Sequence, residues 1–266
     1  MYLCNVIFYF SATGNTQWAA EYLAEATHDK LVCMAEVMSN TKVFHVDKDE
    51  RIGFVFPVHG WRPPLLVRRF IRQLEITGLD NNFCYAVCTA GDDIGQSMEI
   101  LNHDLSRLGI KAESIYSLLM PESYVGLPFM DVDTPEKEKA KKQRSAEQIS
   151  EFAEEIVNRQ RGIVKTDKGH WPRINSWLLG TLFVHHLITD KPFHVEEGKC
   201  LRCGKCSEAC PTHNIEGGKH FLPRWKHQDN CLTCFACYHH CPVHAIEYGN
   251  RTKKKGQYYF TKKNQQ

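Results

Sequence analysis

Eight cysteines in the last quarter of the chain fall into two runs with identical spacing, and this repetition limits the fold more than any other feature. The first run is Cys200-Leu-Arg-Cys203-Gly-Lys-Cys206-Ser-Glu-Ala-Cys210-Pro211, and the second is Cys231-Leu-Thr-Cys234-Phe-Ala-Cys237-Tyr-His-His-Cys241-Pro242. Each run therefore reads C-x2-C-x2-C-x3-C-P. Two identical compact sets of four thiols favour metal binding over pairwise disulfides.

The spacing also discriminates between metals. Zinc ribbons need two C-x2-C pairs per ion and have no use for a third C-x2 step or a trailing Cys-Pro. The same run holds [4Fe–4S] clusters in bacterial ferredoxins, where the fourth cysteine of each run ligates the cluster of the other run. We therefore expect two [4Fe–4S] clusters. The predicted ligands are Cys200, Cys203, Cys206 and Cys241 for the first cluster, and Cys231, Cys234, Cys237 and Cys210 for the second.

The length of 266 residues accommodates a large domain and a small one. Residues 1–10 are apolar but lack the basic start and the cleavage site of a secretory signal. The longest apolar run, residues 177–188, is too short to span a bilayer. We expect a cytoplasmic, reducing location, which suits cysteines that hold clusters.

The charges are unevenly distributed along the chain. Residues 1–159 carry 16 Lys and Arg against 23 Asp and Glu, net −7, whereas residues 160–266 carry 17 against 8, net +9. Opposite signs favour docking of the two parts and steer charged partners. The alternative is that both sets of charges are solvated surface. We expect no nucleic-acid partner.

The first 160 residues alternate between strand and helix patterns. Most of the strands are apolar on both faces, as in a parallel sheet covered on both sides. The predicted strands are Leu3–Phe10, Leu31–Val37, Ile52–Val58, Phe83–Thr89 and Ala112–Leu119, and the predicted helices span about 16–27, 63–75, 95–109 and 135–159. The polar stretch 38–50 reads as an irregular connection. The pattern predicts a doubly wound α/β domain with a five-stranded parallel sheet.

A short polar loop joins the first predicted strand to the first helix. It consists of Ser11, Ala12, Thr13, Gly14, Asn15 and Thr16. Hydroxyls, a glycine and a helix N-terminus together make an anion site. The loop lacks the Gly-Lys-Ser/Thr ending of a Walker loop, and the chain has no G-x-G-x-x-G fingerprint. These features favour a tightly held monophosphate.

This loop resembles the FMN phosphate loop of flavodoxins. The whole chain resembles the bacterial and archaeal family that fuses a flavodoxin domain to a two-cluster ferredoxin domain, and the similarity extends to the ending Tyr248–Gly256. The resemblance implies a flavodoxin-like domain over residues 1–160 and a helical linker over 161–194. It implies a small α+β ferredoxin domain with two [4Fe–4S] clusters over 195–266. It further implies bound FMN and an anaerobic prokaryotic host.

By the same resemblance, two further loops hold the flavin ring. They are Pro57, Val58, His59, Gly60 and Trp61 after the third strand, and Thr89, Ala90, Gly91, Asp92 and Gly95 at the end of the fourth. Trp61 is the candidate for stacking on the ring, since an indole offers a large face. The alternative is that Trp61 packs under the following helix. His59 is either a ring contact or an ordinary turn residue.

Two other stretches are weaker candidates for flavin contacts. Asp92 and Asp93 place negative charge and backbone N–H groups near the ring, or else serve only as turn residues. Tyr124 is a second candidate aromatic, in the stretch 120–124. Members of the family often carry Met-Pro-x-Asn-Tyr there. Ser123 replaces the asparagine in this chain, which leaves the contact at that position open.

Several residues have simpler interpretations. Cys4, Cys33, Cys84 and Cys88 fall in predicted strands and read as buried free thiols. His239 and His240 lie inside the second cysteine run, but eight cysteines leave no vacancy for a histidine ligand. Residues 173–188 predict one apolar helix between the two domains. The alternative is a helix lying in a membrane interface.

These parts predict an electron-transfer protein that relays electrons between FMN, two [4Fe–4S] clusters and an external redox partner. The expected partner is a protein such as a reduced ferredoxin or a flavoenzyme. The alternative is a flavin-dependent reductase of a small acceptor, supplied through the clusters. Direct supply by NAD(P)H is disfavoured, because no dinucleotide fingerprint is present. The sequence does not predict an oligomeric state.

Overall fold

Six parallel strands form one sheet in the N-terminal part of the protein. The computed structural model describes residues 2–3, 5–38 and 43–261. The strands are β1 (Val6–Tyr9), β2 (Lys30–Cys33), β3 (Arg51–Pro57), β4 (Phe83–Ala90), β5 (Ser114–Leu119) and β6 (Val164–Lys165). Their order across the sheet is β2-β1-β3-β4-β5-β6, with every neighbouring pair parallel. The doubly wound α/β prediction is confirmed, but the predicted count of five strands is wrong.

The additional strand, β6, falls in the stretch predicted to be linker. Its two residues pair with Ile115 and Tyr116 of β5. The N–H of Ile115 donates to the carbonyl of Ile163 at 2.9 Å, which fixes the approach of the chain to the sheet edge. Two residues are too few to show a strand periodicity. The strand therefore arises from a tertiary contact that local sequence does not reveal.

Helices cover both faces of the sheet, as parallel strands require. They are α1 (Asn15–Thr27), α2 (Leu65–Gln73), α3 (Ser97–Leu105) and α4 (Pro135–Val157). Leu23 of α1 and Phe152 of α4 share one apolar cluster with Tyr116 of the sheet. Phe70 of α2 and Leu101 of α3 belong to the cluster on the other face. All eight residues of β4 are buried, because this strand lies between the two clusters.

Two local predictions are corrected. The predicted strand 31–37 ends at Cys33, and Met34–Val37 forms one helical turn. The stretch 38–50, predicted to be irregular, contains the strand Val43–Val46. This strand lies between Tyr2–Leu3 and Glu75–Thr77 in a second parallel sheet of three strands. A 3-10 turn, Ser106–Leu108, follows α3.

The predicted buried cysteines agree with the structure where it describes them. Cys84 and Cys88 are buried in the core, and Cys33 is half-buried. Cys4 lies outside the described residues. In the described part of the chain, these strand cysteines form no disulfide.

A continuous helical segment over residues 174–187 connects the sheet domain to the cysteine runs. Ile174–Leu179 and Phe183–Leu187 have the wider π-helical turns, and Gly180–Leu182 lies between them as α-helix. One side of this linker helix is buried, and the other exposes large apolar side chains such as Trp177. Within the described ranges, no helix is both long and apolar enough to cross a membrane.

The cysteine runs lie in a small α+β unit. Phe193–Val195 pairs with Ile246–Tyr248, and Ile215–Glu216 pairs with Arg224–Trp225, both antiparallel. Each run contains one helical turn, Lys205–Glu208 in the first and Ala236–His239 in the second. Its core is aromatic: Phe193 lies 5.2 Å from Phe235 and 4.7 Å from Tyr248 between ring centroids. Residues 249–260 then return to the sheet domain.

Candidate functional site

A cavity of about 340 Å³ lies at the carboxyl ends of the central strands, and we call it the sheet-end cavity. The strand order reverses between β1 and β3, where doubly wound folds bind their ligands. Its volume falls within the range of about 300–1,000 Å³ that small-molecule sites occupy. The predicted site residues that line it are Ser11, Ala12, Thr13, Asn15, Thr16, Pro57, Val58, His59, Gly60, Trp61, Thr89, Ala90, Gly91, Asp92 and Tyr124. Gly14 and Gly95 are not among its lining residues.

One end of the cavity is suited to an anion. Helix α1 begins there, after Gly14 with a φ of 94° that disfavours any side chain. A Cβ at Gly14 would also lie 2.9 Å from the Cβ of Phe260. The hydroxyls of Ser11 and Thr13 lie beside the helix N-terminus, whose N–H groups and dipole attract negative charge. This end of the cavity therefore fits a phosphate group.

The turn after β3 places an indole in the cavity wall. His59 and Arg62 exchange backbone hydrogen bonds of 2.9 and 3.3 Å, and Gly60 and Trp61 between them have φ values of 57° and 59°. The left-handed region costs a residue other than glycine about 1–2 kcal/mol. Residues held this way cluster at ligand sites. The Ser176 hydroxyl stabilises the turn by donating to the Trp61 carbonyl at 2.9 Å.

The loop after β5 contacts the loop of residues 11–16 directly. The Thr13 hydroxyl donates to the Ser123 hydroxyl at 3.3 Å. The Glu122 carboxylate accepts the N–H groups of Ser123 and Tyr124 at 2.8 and 2.7 Å. Burial raises the pKa of Glu122 above its usual value, although these N–H groups oppose the shift. Both Glu122 and Tyr124 line the cavity.

The titratable groups near Trp61 have shifted pKa values. Burial lowers the pKa of His59 to about 4, so its imidazole is neutral at pH 7. Burial raises the pKa of Asp93, which accepts the N–H of Gly95 at 3.1 Å. Asp92 and Asp93 both line the cavity. Gly95 therefore supports this turn from outside the cavity.

Several lining residues were missed by the sequence interpretation because they come from distant or irregular segments. They are Leu127, Phe129 and Met130 after β5, Phe183 of the linker helix, and Thr233. The Phe183 ring meets Tyr124 edge-on at 5.5 Å. A Cβ at Gly60 would lie 2.6 Å from Phe183, so glycine is needed for this close approach. No local pattern signals these contacts.

The end of the described chain also contacts the loop of residues 11–16. The Tyr258 hydroxyl donates to Asn15 Oδ1 at 2.6 Å, and the N–H of Phe260 donates to the Thr13 carbonyl at 2.8 Å. The Phe260 ring stacks on Trp18 of α1 at 5.3 Å. We call residues 257–260 the C-terminal strap. Its contacts hold the loop and the first turns of α1 in place.

The eight cysteines of the two runs separate into two sets, each around its own small cavity. The first thiol set is Cys200, Cys203, Cys206 and Cys241, and the second thiol set is Cys210, Cys231, Cys234 and Cys237. The fourth cysteine of each run therefore joins the other run's set. Within the described ranges, no three Cys, His, Asp or Glu side chains converge on a position for one metal ion. Four thiolates around an iron–sulfur cube have no need to converge in that way, because each holds a different iron.

Backbone N–H groups donate to the sulfurs in matching positions of the two runs. Arg202 N donates to Cys200 Sγ at 3.4 Å, and Thr233 N donates to Cys231 Sγ at 3.3 Å. The fourth cysteines also correspond, since Asn214 N donates to Cys210 Sγ at 3.2 Å and Ala245 N to Cys241 Sγ at 3.1 Å. Hydrogen bonds of this kind tune the potentials of iron–sulfur clusters.

Cys234 connects the two sites. It is a member of the second thiol set and also lines the sheet-end cavity. Burial raises the pKa of this thiol. Of the eight cysteines in the two runs, Cys234 alone lines the sheet-end cavity as well as the cavity of its own thiol set. Its run therefore faces the loops at the carboxyl ends of the strands.

The two histidines of the second run take part in packing. His239 is buried; its Nε2 lies 2.6 Å from the carbonyl of Ser123, and its Nδ1 accepts the N–H of Tyr258 at 3.1 Å. These partners assign the proton to Nε2. The His240 ring stacks on Tyr259 at 4.5 Å. His239 thus joins the cysteine unit to the loop after β5.

Two family models match separate parts of the chain. Residues 6–108 match a flavodoxin domain, and residues 193–242 match a 4Fe-4S dicluster domain. A search of curated proteins gave no match. The flavodoxin match implies a flavin, FMN, and the dicluster match implies iron–sulfur clusters.

Solved structures with partial similarity include the following three proteins. Rubredoxin oxygen:oxidoreductase from the anaerobe Desulfovibrio gigas is 21% identical with a TM-score of 0.30, over 56% of this chain and 35% of that one. A protein from Bacteroides eggerthii described as a flavoprotein is 19% identical with a TM-score of 0.31, over 56% of this chain and 98% of that one. The Flv1 flavodiiron core from Synechocystis is 14% identical with a TM-score of 0.29, over 58% and 36%. This chain therefore spans about a third of the first of these proteins.

Proposed function

We propose that this chain, which joins a flavodoxin domain to a 4Fe–4S dicluster domain, relays electrons between FMN, two [4Fe–4S] clusters and external redox partners. One observation carries the proposal: Cys234 belongs to the second thiol set and also lines the sheet-end cavity. Cys234 would then be a ligand of one cluster and would also line the site that holds FMN. The flavin takes electrons singly or in pairs and each cluster takes one, so together they convert paired to single electrons.

The sheet-end cavity suits FMN at both of its ends. The α1 N-terminus and the hydroxyls of Ser11 and Thr13 would hold the phosphate. Trp61 and Tyr124 would hold the apolar ring. The neutral His59 imidazole keeps hydrogen-bonding capacity at the ring without adding charge.

The two thiol sets suit one [4Fe–4S] cluster each. Every set has four cysteines around one cavity, in the crossed arrangement of the bacterial run. Burial raises the pKa of Cys206 and of Cys231 to about 11, so binding of iron by these thiols would release protons. The backbone N–H groups at Cys200, Cys210, Cys231 and Cys241 already point at sulfur.

The second candidate function is a flavin-dependent reductase of a small acceptor. The observation in its favour is the apolar mouth of the sheet-end cavity. Phe129 is 82% exposed and lines the cavity beside Met130. An acceptor could lie against these side chains next to the ring. The electron-carrier proposal needs no such acceptor.

Anaerobic reconstitution followed by stepwise reduction tests the relay. Chemical reduction should change the absorbance of both cofactor types, and Cys231→Ala should retain FMN while slowing its reduction by a protein donor. Serine in place of Cys84, a buried thiol outside both sets, controls for loss of any cysteine. Unchanged flavin reduction in Cys231→Ala would refute the relay. Rapid, stoichiometric turnover of small acceptors without a protein partner would support the reductase instead.

A further inference from the structure

The second cysteine of each run occupies the same place in a repeated local structure. In each run the residue directly after the second cysteine has a left-handed backbone and precedes the helical turn. This residue is Gly204, with φ 84°, in the first run and Phe235, with φ 58°, in the second. Cys203 and Cys234 are therefore structural counterparts. Their surroundings differ, because Cys234 faces the sheet-end cavity while Cys203 is exposed at the surface. The repeat thus directs one thiol set inward and the other outward.

The surface around Cys203 has an apolar centre. Leu201 is 63% exposed and Phe221 is 70% exposed, and exposed apolar side chains that adjoin each other often mark interaction sites. The two segments that carry them are joined by a bridge between Cys203 and Lys219 and by a hydrogen bond from His220 N to Arg202 O at 2.9 Å. We call this surface, residues 199–205 and 216–224, the outer face. It is held together by backbone contacts, so its shape does not depend on side-chain pairing.

The charge of the outer face is mainly positive. Its exposed basic residues are Lys199, Arg202, Lys205, Lys219 and Arg224. None of them forms an ion pair with a described acidic side chain. The exposed acidic residues in or beside it are Glu197, Glu208 and Glu216. The outer face thus has five basic side chains that form no ion pairs with described residues, around two exposed apolar side chains. This combination is complementary to a partner protein whose surface is acidic around a small apolar contact.

We propose that the outer face is the docking site for an acidic protein that carries single electrons. The inference rests on the proposed relay function and names the partner chemistry for it. One electron lost by the partner is gained by this chain, or the reverse, and no bond forms or breaks. Docking here brings a partner next to Cys203, the most solvent-exposed member of the first thiol set, while the second set faces the sheet-end cavity. The charges would mainly increase the association rate and make it sensitive to salt.

A charge-reversal variant tests the docking site. Lys205→Glu/Lys219→Glu changes two exposed cations that flank Cys203. The matched control is Lys253→Glu/Lys254→Glu, which makes the same change on another exposed basic segment, near Phe129 and Met130. The probe is a purified, strongly acidic ferredoxin, and its dissociation constant is measured by calorimetry at low and high salt. We expect binding to weaken about tenfold or more in the first variant and to change little in the control.

The outcomes separate the docking site from the relay itself. Equal affinity in Lys205→Glu/Lys219→Glu and the parent would overturn the outer face as the docking site. Weaker binding in the control alone would move docking to the mouth of the sheet-end cavity. If the charge variant fails to retain clusters, Leu201→Ser/Phe221→Ser provides the second test, with the same loss of affinity expected. Dithionite should reduce the flavin and the clusters normally in every variant. If dithionite fails to reduce them in the parent protein, that result contradicts the relay and not the docking site.

Discussion

Replacing Trp61 with alanine tests the flavin site most directly. Trp61 lies in the cavity wall on a turn with left-handed backbone, φ 59°. Removing a stacked aromatic face costs about 1–3 kcal/mol for a planar heterocycle, which corresponds to about 5–150-fold weaker binding of FMN. Trp61→Phe keeps a ring face and should lose less. The assay is fluorescence titration of flavin-depleted protein, with its clusters intact, against FMN.

The backbone of the same residue gives an independent prediction. Alanine at position 61 keeps the disfavoured conformation, whereas glycine removes its cost of about 1–2 kcal/mol. Trp61→Gly should therefore have a higher free energy of unfolding than Trp61→Ala without regaining FMN affinity. Trp171→Ala is the matched control, since Trp171 is 67% exposed and outside the cavity. Parent-like FMN affinity in Trp61→Ala would refute the stacking role.

Three further predictions concern the other parts of the site. Anaerobic reconstitution should give about eight irons per chain. In electron paramagnetic resonance, Cys241→Ala should alter the same cluster signal as Cys200→Ala. If Cys241→Ala instead alters the same signal as Cys231→Ala, crossed ligation is contradicted. Tyr258→Phe removes the hydrogen bond to Asn15 and should weaken FMN binding by up to about 1.5 kcal/mol; Tyr259→Phe, the neighbouring control, should bind normally. The folded protein holds His59 neutral, with its pKa lowered to about 4 by burial. The unfolded chain takes up that proton near pH 6.5, so the free energy of unfolding should fall from about pH 6.5 towards 4. Urea titrations at pH 7 and 5 should show a smaller fall in His59→Gln, and an identical fall would reject this assignment.

The sequence predicted those features that are local in the chain. The loop after β1 and the start of α1 follow from residues 11–16 alone, because a turn and a helix N-terminus have a short-range signature. The separation of the eight thiols into two sets follows from their spacing. The alternation of apolar strands and amphipathic helices predicted the doubly wound sheet. In each case the interacting residues are close in sequence or regularly spaced.

The features that were missed depend on contacts between distant segments. β6 exists because Ile163 reaches the edge of β5, and Phe183 enters the cavity wall because Gly60 leaves room for it. The π-helical turns of the linker helix were also not predicted, since their hydrogen-bond pattern has no sequence period of its own. These features depend on tertiary packing, which no short stretch of the sequence encodes.

The C-terminal strap has a consequence for biosynthesis. Residues 11–16 are translated about 245 residues before Tyr258 and Phe260, yet these two aromatics hold that loop in place. A nascent chain can form its parallel sheet while the two cysteine runs are still being translated. We therefore expect full affinity for FMN to arise only after the cysteine-rich unit has been made and has folded back. Flavin retention would thus report on the folding of the cysteine-rich unit and of the strap, although the loop of residues 11–16 precedes both in the chain.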